Sequence, residues 1–338
     1  MSAEAKPSGL DLLAIERARQ HGDALASFAG AAPLGQRIAE SLRQTRRLLL
    51  IGMGGSHFIN RSVEPAYRAH GIDATSITAS ELLAAPLPDG KRTAILTSQS
   101  GASGEVLQYL ARDGAGEARF GITLEAGSPL AKQIPCLIGA GGTERAFAAT
   151  RSLLISLTLH AGIIAALGED MAPALTYLRH PLQRPVDSAL ATLAQKKVII
   201  FSGRGSFAGL AEAGALFLME LARLPALALE GGQFRHGPLE ILSPAMGIML
   251  LRGPGEDESL NQRLIATCND AGAATIVFDL SGAPDLAGAV TIDFPALAGF
   301  AAAFALLPTL QQLMIELAKL HVARVGEPLR TRKVTGLE

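Results

Sequence analysis

Residues 98–104 (SQSGASG) place three serines, a glutamine and two glycines between an apolar segment and a helix-like segment. Such a turn can bind an anion, because hydroxyls and backbone N–H groups point at the ligand and the helix dipole favours negative charge. The residues that could bind the anion are Ser98, Gln99, Ser100 and Ser103. No lysine stands where a nucleoside triphosphatase loop has one, so the pattern favours a phosphate monoester on a sugar. Helix capping by Ser100 or Ser103 is the alternative, but it needs fewer polar residues.

A second turn of this kind, GMGGSH, follows the first strand-like segment. Gly54 would let the backbone approach a ligand closely, and Ser56 could hydrogen-bond that ligand. His57 has no partner at a recognisable spacing, so we expect a surface or capping residue there.

Two groups suited to proton transfer lie farther along the chain. His236 stands in GQFRHGPLE, between an arginine and a Gly-Pro turn, and an imidazole titrates near neutral pH. Glu220 lies in the otherwise apolar helical segment 207–223, where desolvation would raise its pKa towards that of a working base. The alternative is a solvent-facing Glu220 that pairs with Arg223 at the i+3 position.

The turn at residues 203–208, GRGSFA, matches the G-x-G-x-x-[G/A] pattern of dinucleotide-binding proteins. The next strand-like segment ends at Glu230, which could hold a ribose. A nicotinamide-dependent oxidoreductase is therefore an alternative interpretation, although the equivalent turn in the first half lacks the third small residue.

The elements that carry these residues repeat in two halves. Five short apolar segments are predicted as strands in each half: 47–52, 74–78, 93–98, 120–124 and 135–139, then 197–202, 226–229, 247–251, 275–279 and 289–293. Continuous apolar runs are typical of parallel strands buried on both faces. The pattern predicts an α/β fold of two doubly wound domains, each a five-stranded parallel sheet flanked by helices, joined near 180–187. Helices at 9–29 and 309–338, the second with a tail, would flank them.

The composition excludes several classes of protein. The chain has 338 residues, 49% of them hydrophobic and 18% charged, so it has material for about two packed domains and is not disordered. A net charge of −1 predicts no nucleic-acid surface, and two cysteines without CxxC spacing predict no disulfide scaffold or thiolate zinc site. An N-terminus without an apolar signal segment predicts a cytoplasmic protein. Residues 294–315 are uncharged, but their prolines favour a buried helix pair broken at Pro308 over a membrane span.

Together these motifs resemble the sugar isomerase (SIS) domain family, in the two-domain form of the isomerase half of glucosamine-6-phosphate synthase and of the free-standing deaminases and deglycases. The resemblance runs from about position 37 to 335. Its most specific parts are SQSG, the HGP motif with a glutamate sixteen residues upstream, and the tail KVT at 333–335. It implies two tandem SIS domains at 37–180 and 181–325, an N-terminal helical segment at 1–36, and a tail at 326–338 that closes the site.

The resemblance also assigns roles. It implies phosphate binding by Ser98, Gln99, Ser100 and Ser103, sugar contacts from Ser56 and Thr150, and a C-terminal tail whose Lys333 closes over the sugar. Glu220 falls where the family has the base that moves a proton between C1 and C2. His236 matches the residue that assists ring opening or protonates the leaving group, and in the family it comes from the other subunit of a homodimer. The family serine and lysine beside Thr150 are replaced here by Ala149 and Arg151.

The activity implied is deamination, deglycation or aldose–ketose isomerisation of a 6-phosphorylated amino sugar or ketosamine, through an enol(amine) and without metal or organic cofactor. The glucosamine-6-phosphate deaminase and fructosamine-6-phosphate deglycase types fit best. A glutamine-dependent synthase is not expected, because Phe217 replaces the synthase lysine three residues before Glu220 and the chain begins MSAEAK, without a glutaminase nucleophile. The alternative is a non-catalytic phosphosugar sensor, although no basic recognition helix precedes the first domain.

Overall fold

Ten strands form two five-stranded sheets in the computed structural model, which describes residues 6–334. The first sheet contains β1 (Arg47–Gly52), β2 (Asp73–Thr78), β3 (Arg92–Thr97), β4 (Glu117–Thr123) and β5 (Cys136–Ile138). The second contains β6 (Val198–Gly203), β7 (Ala226–Glu230), β8 (Met246–Arg252), β9 (Ala274–Asp279) and β10 (Val290–Asp293). All ten predicted strands are present, with ends shifted by a few residues at most.

Eleven helices connect and cover the strands in the described part of the chain. The first six are α1 (Gly9–Thr45), α2 (Gly55–Ala69), α3 (Ala79–Ala84), α4 (Gly104–Leu110), α5 (Pro129–Gln133) and α6 (Arg151–Leu167). The others are α7 (Ala172–Arg179), α8 (Asp187–Leu193), α9 (Ser206–Ala222), α10 (Glu258–Asp270) and α11 (Gly299–His321). Residues 180–186 connect the two halves between α7 and α8.

The two sheets have the same topology. Their strand orders are β2-β1-β3-β4-β5 and β7-β6-β8-β9-β10, and every pairing is parallel. The predicted fold class, two doubly wound five-stranded sheets flanked by helices, is confirmed. The turns after β1 and β3 therefore lie side by side at the switch point, where ligands bind in sheets of this order.

A layer of helices between the sheets joins the two halves. α1 packs against α6, α2 packs against α9, and α9 also packs against α11. One hydrophobic cluster runs through this layer from Leu50 in the first sheet to Phe201 in the second. α2 and α9 can approach closely because Gly209 has no side chain. A Cβ at this position would lie only 2.4 Å from the Phe58 carbonyl oxygen.

The first helix is longer than predicted. It was expected at residues 9–29, but α1 continues through Pro33 to Thr45 and so crosses position 36 without a break. Its buried face continues through Ala31, Gly35, Ile38 and Leu42, and this helical spacing holds the segment against α6.

The prediction of a helix pair broken at Pro308 was wrong, because α11 runs through Pro308 as one helix. A proline removes only its own N–H from the helical ladder, and packing on α7 and α9 stabilises the helix on both sides of it. Of the described helices, α11 is long and apolar enough to cross a membrane. However, 83% of its most apolar window is buried in the protein, as expected of a core helix.

Candidate active site

A cavity of about 350 Å³ lies beyond the carboxyl ends of β1 and β3. Its walls are the turns after these strands, the first turns of α6, the last turns of α9 and the C-terminal tail. It brings together these residues predicted from the sequence: Gly54, Ser56, Gln99, Ser100, Ser103, Glu220 and Lys333. The chain segments that line it are far apart in sequence, so the fold itself assembles the site.

The turn after β3 presents several polar side chains, and its own backbone hydrogen-bonds to only part of them. Ser103 begins α4 as its N-cap, yet its hydroxyl makes no capping bond and lies 2.9 Å from the Ser98 hydroxyl. Ser100 accepts a hydrogen bond from the Ala102 N–H at 3.2 Å. Nε2 of Gln99 is buried without a partner among residues 6–334. Capping therefore does not account for this turn, and Ser98 itself is buried just behind the cavity wall.

The turn after β1 requires glycine. Gly54 has φ 52° and ψ −130°, a conformation that residues with a Cβ avoid, and it precedes α2 as its N-cap. Gly205 has the same conformation before α9, with φ 54° and ψ −124°. The two halves therefore use the same turn, but Gly205 does not line this cavity.

Glu220 has the environment of a general base. Burial raises its pKa to about 7, Lys333 lowers the pKa in part, and Glu144 raises it further. The carboxylate makes no ion pair with Arg223 within the described residues. Arg223 instead donates to the Glu327 carbonyl oxygen at 2.8 Å. The alternative of a surface ion pair is therefore wrong.

Glu144 holds the C-terminal tail in the site. Its Oε2 accepts hydrogen bonds from Nζ of Lys333 at 2.9 Å and from the Ser152 hydroxyl at 2.6 Å. Burial would raise its pKa, but the Lys333 ammonium and these hydrogen bonds outweigh burial and lower it. Glu144 is fully buried and ionised, so it fixes Lys333 beside Glu220.

Two residues beside Glu144 have structural contacts instead of facing the cavity. The Thr150 hydroxyl and N–H both donate to Oε1 of Glu144, at 3.1 and 2.8 Å, and Thr150 does not line the cavity. Arg151, at the family's lysine position, is fully buried and donates to Glu16 at 2.6 Å and to Asp23 at 3.0 Å. It ties α6 to α1 and is not available to a ligand.

His236 is exposed and lies outside the cavity of its own chain. It follows a short 3-10 helix, Gln233–Arg235, which begins where Glu230 accepts from the N–H groups of Gly232 and Gln233 at 2.8 and 3.0 Å. Those contacts occupy the carboxylate that a dinucleotide ribose would need. The second sheet also has the 2-1-3-4-5 order and not the 3-2-1-4-5-6 order of dinucleotide-binding folds, so the oxidoreductase interpretation loses its basis.

A buried chain of hydrogen bonds supports the strand that carries the serine turn. Oδ1 of Asn60 accepts from the Thr97 hydroxyl at 2.9 Å and from Nε2 of His160 at 3.2 Å. Nδ1 of His160 accepts from the Tyr67 hydroxyl at 2.9 Å. Burial lowers the pKa of His160 to about 3, so it stays neutral. His57 is half-buried, its Nδ1 lies 3.1 Å from the Ser76 hydroxyl, and burial and Arg61 lower its pKa to about 4.

Several residues of the site were missed by sequence reasoning. Ser152 and Ser156 line the cavity from α6, and Phe147 and Leu216 form its apolar part. The signal for the serines was their four-residue spacing on an otherwise apolar helix. Within residues 6–334, no three His, Cys, Asp or Glu side chains lie close enough together to hold a metal ion.

Part of the chain matches a known family. Residues 192–318 match the SIS domain family. Glutamine–fructose-6-phosphate aminotransferase 1 (isomerizing) of Arabidopsis thaliana is 25% identical over 269 residues, which cover 70% of this chain and 40% of the relative. The corresponding enzyme of Vibrio cholerae is 24% identical over 245 residues, covering 66% and 40%. The chain thus spans 40% of the length of these curated relatives.

Solved structures share the whole architecture. The C-terminal domain of glucosamine-fructose-6-phosphate aminotransferase from Francisella tularensis superposes with a TM-score of 0.79 at 20% identity, covering 97% of this chain and 100% of that one. Tagatose-6-phosphate ketose/aldose isomerase from Escherichia coli gives 0.76 at 19%, covering 94% and 95%. Glucosamine-6-phosphate deaminase from Thermotoga maritima gives 0.69 at 21%, covering 93% and 100%. The resemblance to the SIS family is confirmed, and these structures establish the shared fold.

Proposed function

We propose that this chain, which carries a SIS domain and the fold of SIS phosphosugar isomerases and deaminases, is an enzyme that acts on a 6-phosphorylated amino sugar or ketosamine. One observation carries the proposal. Glu220 is a desolvated carboxylate with a pKa of about 7, in a cavity whose other wall is a serine-rich turn. A base with that pKa is half-ionised at neutral pH and can both take and return a proton.

The phosphate of the substrate would bind at the turn after β3. Ser100, Ser103 and the unpartnered amide of Gln99 line the cavity there, and the N-terminus of α4 adds a favourable dipole. Ser98 positions Ser103 through its 2.9 Å contact. In the neighbouring turn after β1, Ser56 and the Gly54 backbone would contact the sugar hydroxyls, with Lys333 closing the site.

Proton transfer would start at Glu220. The carboxylate removes a proton from the carbon next to the carbonyl or protonated imine, and the C–H electron pair forms a C=C bond. A protonated imine then becomes an enamine, and a carbonyl becomes an enol once its oxygen has taken up a proton from water. Delivery of the proton to the former carbonyl carbon, with loss of the hydroxyl proton from the carbon that was deprotonated, gives the isomerised sugar. When the deprotonated carbon carries an amino group instead, the same protonation leaves an iminium there, which water hydrolyses with release of ammonia or an amino acid. Lys333 stabilises the ionised form of Glu220, since its ammonium lowers the pKa of that carboxyl.

His236 would act as the acid in ring opening or on the departing amine. Its exposure in one chain is consistent with a homodimer in which this histidine completes the partner's site. Phe217 is buried where the synthase has a lysine, which favours deaminase, deglycase or isomerase chemistry over glutamine-dependent synthesis. Cys136 and Cys268 are free thiols, in keeping with a cytoplasmic location.

The experiment is an assay of the purified protein with glucosamine 6-phosphate, a 6-phosphofructosyl amino acid and tagatose 6-phosphate. Ammonia with fructose 6-phosphate identifies a deaminase, free amino acid with glucose 6-phosphate a deglycase, and a new ketose or aldose phosphate an isomerase. Binding without any product would support the second candidate, a phosphosugar sensor on the same fold. If the protein neither binds nor converts any of these compounds, both candidate functions are refuted.

A further inference from the structure

A second cavity of about 320 Å³ lies on a different part of the molecule. Its walls come from the N-terminal part of α1, the connector at 181–184 and the middle of α11. It shares no lining residue with the candidate active site among residues 6–334. The second cavity therefore lies where the connector meets helices of both halves, away from Glu220 and the serine turn.

The side chains that line this second cavity are basic or neutral. Arg17, Arg184 and His21 face it, and no aspartate or glutamate of the described chain belongs to its lining. Arg17 donates to the Gln312 amide oxygen at 2.7 Å, and burial lowers its pKa more than the nearby Glu316 raises it. Burial and the charge of Arg17 lower the pKa of His21. The charged side chains that line the cavity within residues 6–334 are thus arginines, so the cavity favours an anion.

Polar atoms around this cavity lack partners. Buried atoms without a hydrogen bond within residues 6–334 include Nε of Arg17, Nε of Arg184, Nε2 of His21, the Thr309 hydroxyl and Oε1 of Gln20. Gln20 and Thr309 are only 2% and 3% exposed. Buried polar groups are usually hydrogen-bonded, so five unpartnered atoms around one cavity indicate that it can bind a polar ligand.

We propose that this second cavity binds a small phosphate monoester, with the phosphate between Arg17 and Arg184. Nε of Arg17, the Arg184 guanidinium and the Thr309 hydroxyl supply donors to phosphate oxygens. The terminal nitrogens of Arg17 already donate to Gln312 and to the Pro308 carbonyl oxygen, so Arg184 is the residue that can offer the paired N–H groups that match phosphate geometry. Oε1 of Gln20 accepts a hydrogen bond, so the ester carries a hydroxyl that donates to it. The volume suits a ligand of metabolite size.

Calorimetry with inorganic phosphate and with glycerol phosphate tests this site. The starting protein carries Ser98→Ala and Ser100→Ala, so that the serine turn does not contribute phosphate binding. Binding of glycerol phosphate should remain, should be tighter than that of inorganic phosphate, and should weaken at least about tenfold when Arg184→Gln is added. Arg184 makes no hydrogen bond with the described residues, so this variant should fold.

Arg179→Gln is the matched control, because Arg179 is exposed at the end of α7 and does not line the cavity. It removes the same charge and should leave the affinity unchanged. Equal weakening by Arg179→Gln and Arg184→Gln, or no binding in the serine variant, would overturn the proposal. Equal affinities for the two probes would refute the contact with Gln20. The test uses no catalytic readout, so it can fail without affecting the proposed function.

Discussion

The proposed role of Glu220 as a base depends on a position that costs stability. Its carboxyl is desolvated on α9, and Lys333, the cation that lowers its pKa, also pairs with Glu144. The folded protein therefore binds the Glu220 proton more tightly than the unfolded chain does. This is the pattern expected of a base tuned to neutral pH, since a surface glutamate would be too weak a base.

Replacing Glu220 by Gln should lower kcat about 10²–10⁴-fold with little change in substrate affinity, because a general base is lost and the cavity is kept.

Between about pH 4.5 and 7 the folded wild type holds a proton that the unfolded chain has lost, so its stability falls as the pH rises through that window. Glu220→Gln has no such group. Its advantage over the wild type should therefore grow from pH 5 to pH 8, by at most about 3 kcal/mol.

Steady-state kinetics and denaturant unfolding at the two pH values measure these effects. Full activity in the Gln variant would refute the proton-transfer scheme, and a pH-independent stability difference would refute the raised pKa. The two outcomes are separate, because the first concerns the reaction and the second concerns the folded protein alone.

Lys333 should set the acid limb of the pH profile. Lys333→Met removes the charge that lowers the pKa of Glu220 and leaves Glu144 without its cation, and both changes raise the Glu220 pKa. Since the base must be ionised, kcat/KM should begin to rise only at a higher pH than in the wild type. Lys333→Arg keeps the charge and should stay close to the wild-type profile. An acid limb at the wild-type pH in the Met variant contradicts this coupling.

At the scale of elements, the first turn of each sheet is built in the same way. Gly54 and Gly205 have nearly the same backbone angles and precede α2 and α9, which pack against each other. Each half thus repeats the turn, but only the first half pairs it with a serine turn after β3. The repeated fold supplies two such turns. Only the turn at Gly54 lies beside a serine turn, and only this one lines the cavity.

Alanine at either glycine separates the structural from the functional role of this turn. Both substitutions force an unfavourable backbone conformation and should each cost about 1–3 kcal/mol of unfolding free energy. Neither added Cβ meets an atom closer than 3.9 Å, so backbone strain is the main cause. Only Gly54→Ala changes the cavity, so it should also weaken binding of the phosphorylated ligand, as measured by calorimetry. A similar affinity loss in Gly205→Ala would remove the turn at Gly54 from the binding site.

At the scale of the whole molecule, the helix layer explains why two domains make one site. α9 belongs to the second half, yet its contact with α2 places Glu220 over the switch point of the first sheet. His236 is exposed on the same half and has no place in its own chain's cavity. A dimer that carries His236 to the partner's cavity would complete the proposed machinery.

Mixed dimers test this arrangement. Glu220→Gln and His236→Ala proteins should each be nearly inactive, but random exchange of their subunits should restore about a quarter of the wild-type activity, since half of the dimers then have one intact site. Mixing Glu220→Gln with the double variant is the control and should restore nothing. Absence of recovery after verified subunit exchange would place His236 outside the partner's site.

Much of the architecture was predictable because its signals are local. Continuous apolar runs marked all ten strands, and glycine turns marked the repeat. Most of the candidate site residues could also be predicted from the sequence. A hydroxyl-rich turn and a single acid in an apolar helix are unusual within their own segments. The break expected at Pro308 failed for the opposite reason: packing from distant elements held α11 together.

The sequence by itself determined the two-sheet fold, the serine turn and Glu220 as a candidate base, since each depends on neighbouring residues. Only the tertiary structure decided which groups meet. Lys333 hydrogen-bonds to Glu144, 189 positions away in the sequence. Arg151 donates to Glu16 of α1, and Thr150 donates to Glu144 outside the cavity. The second, basic cavity also joins three distant segments. No local spacing encodes such contacts, because chain folding alone sets the distance between remote side chains.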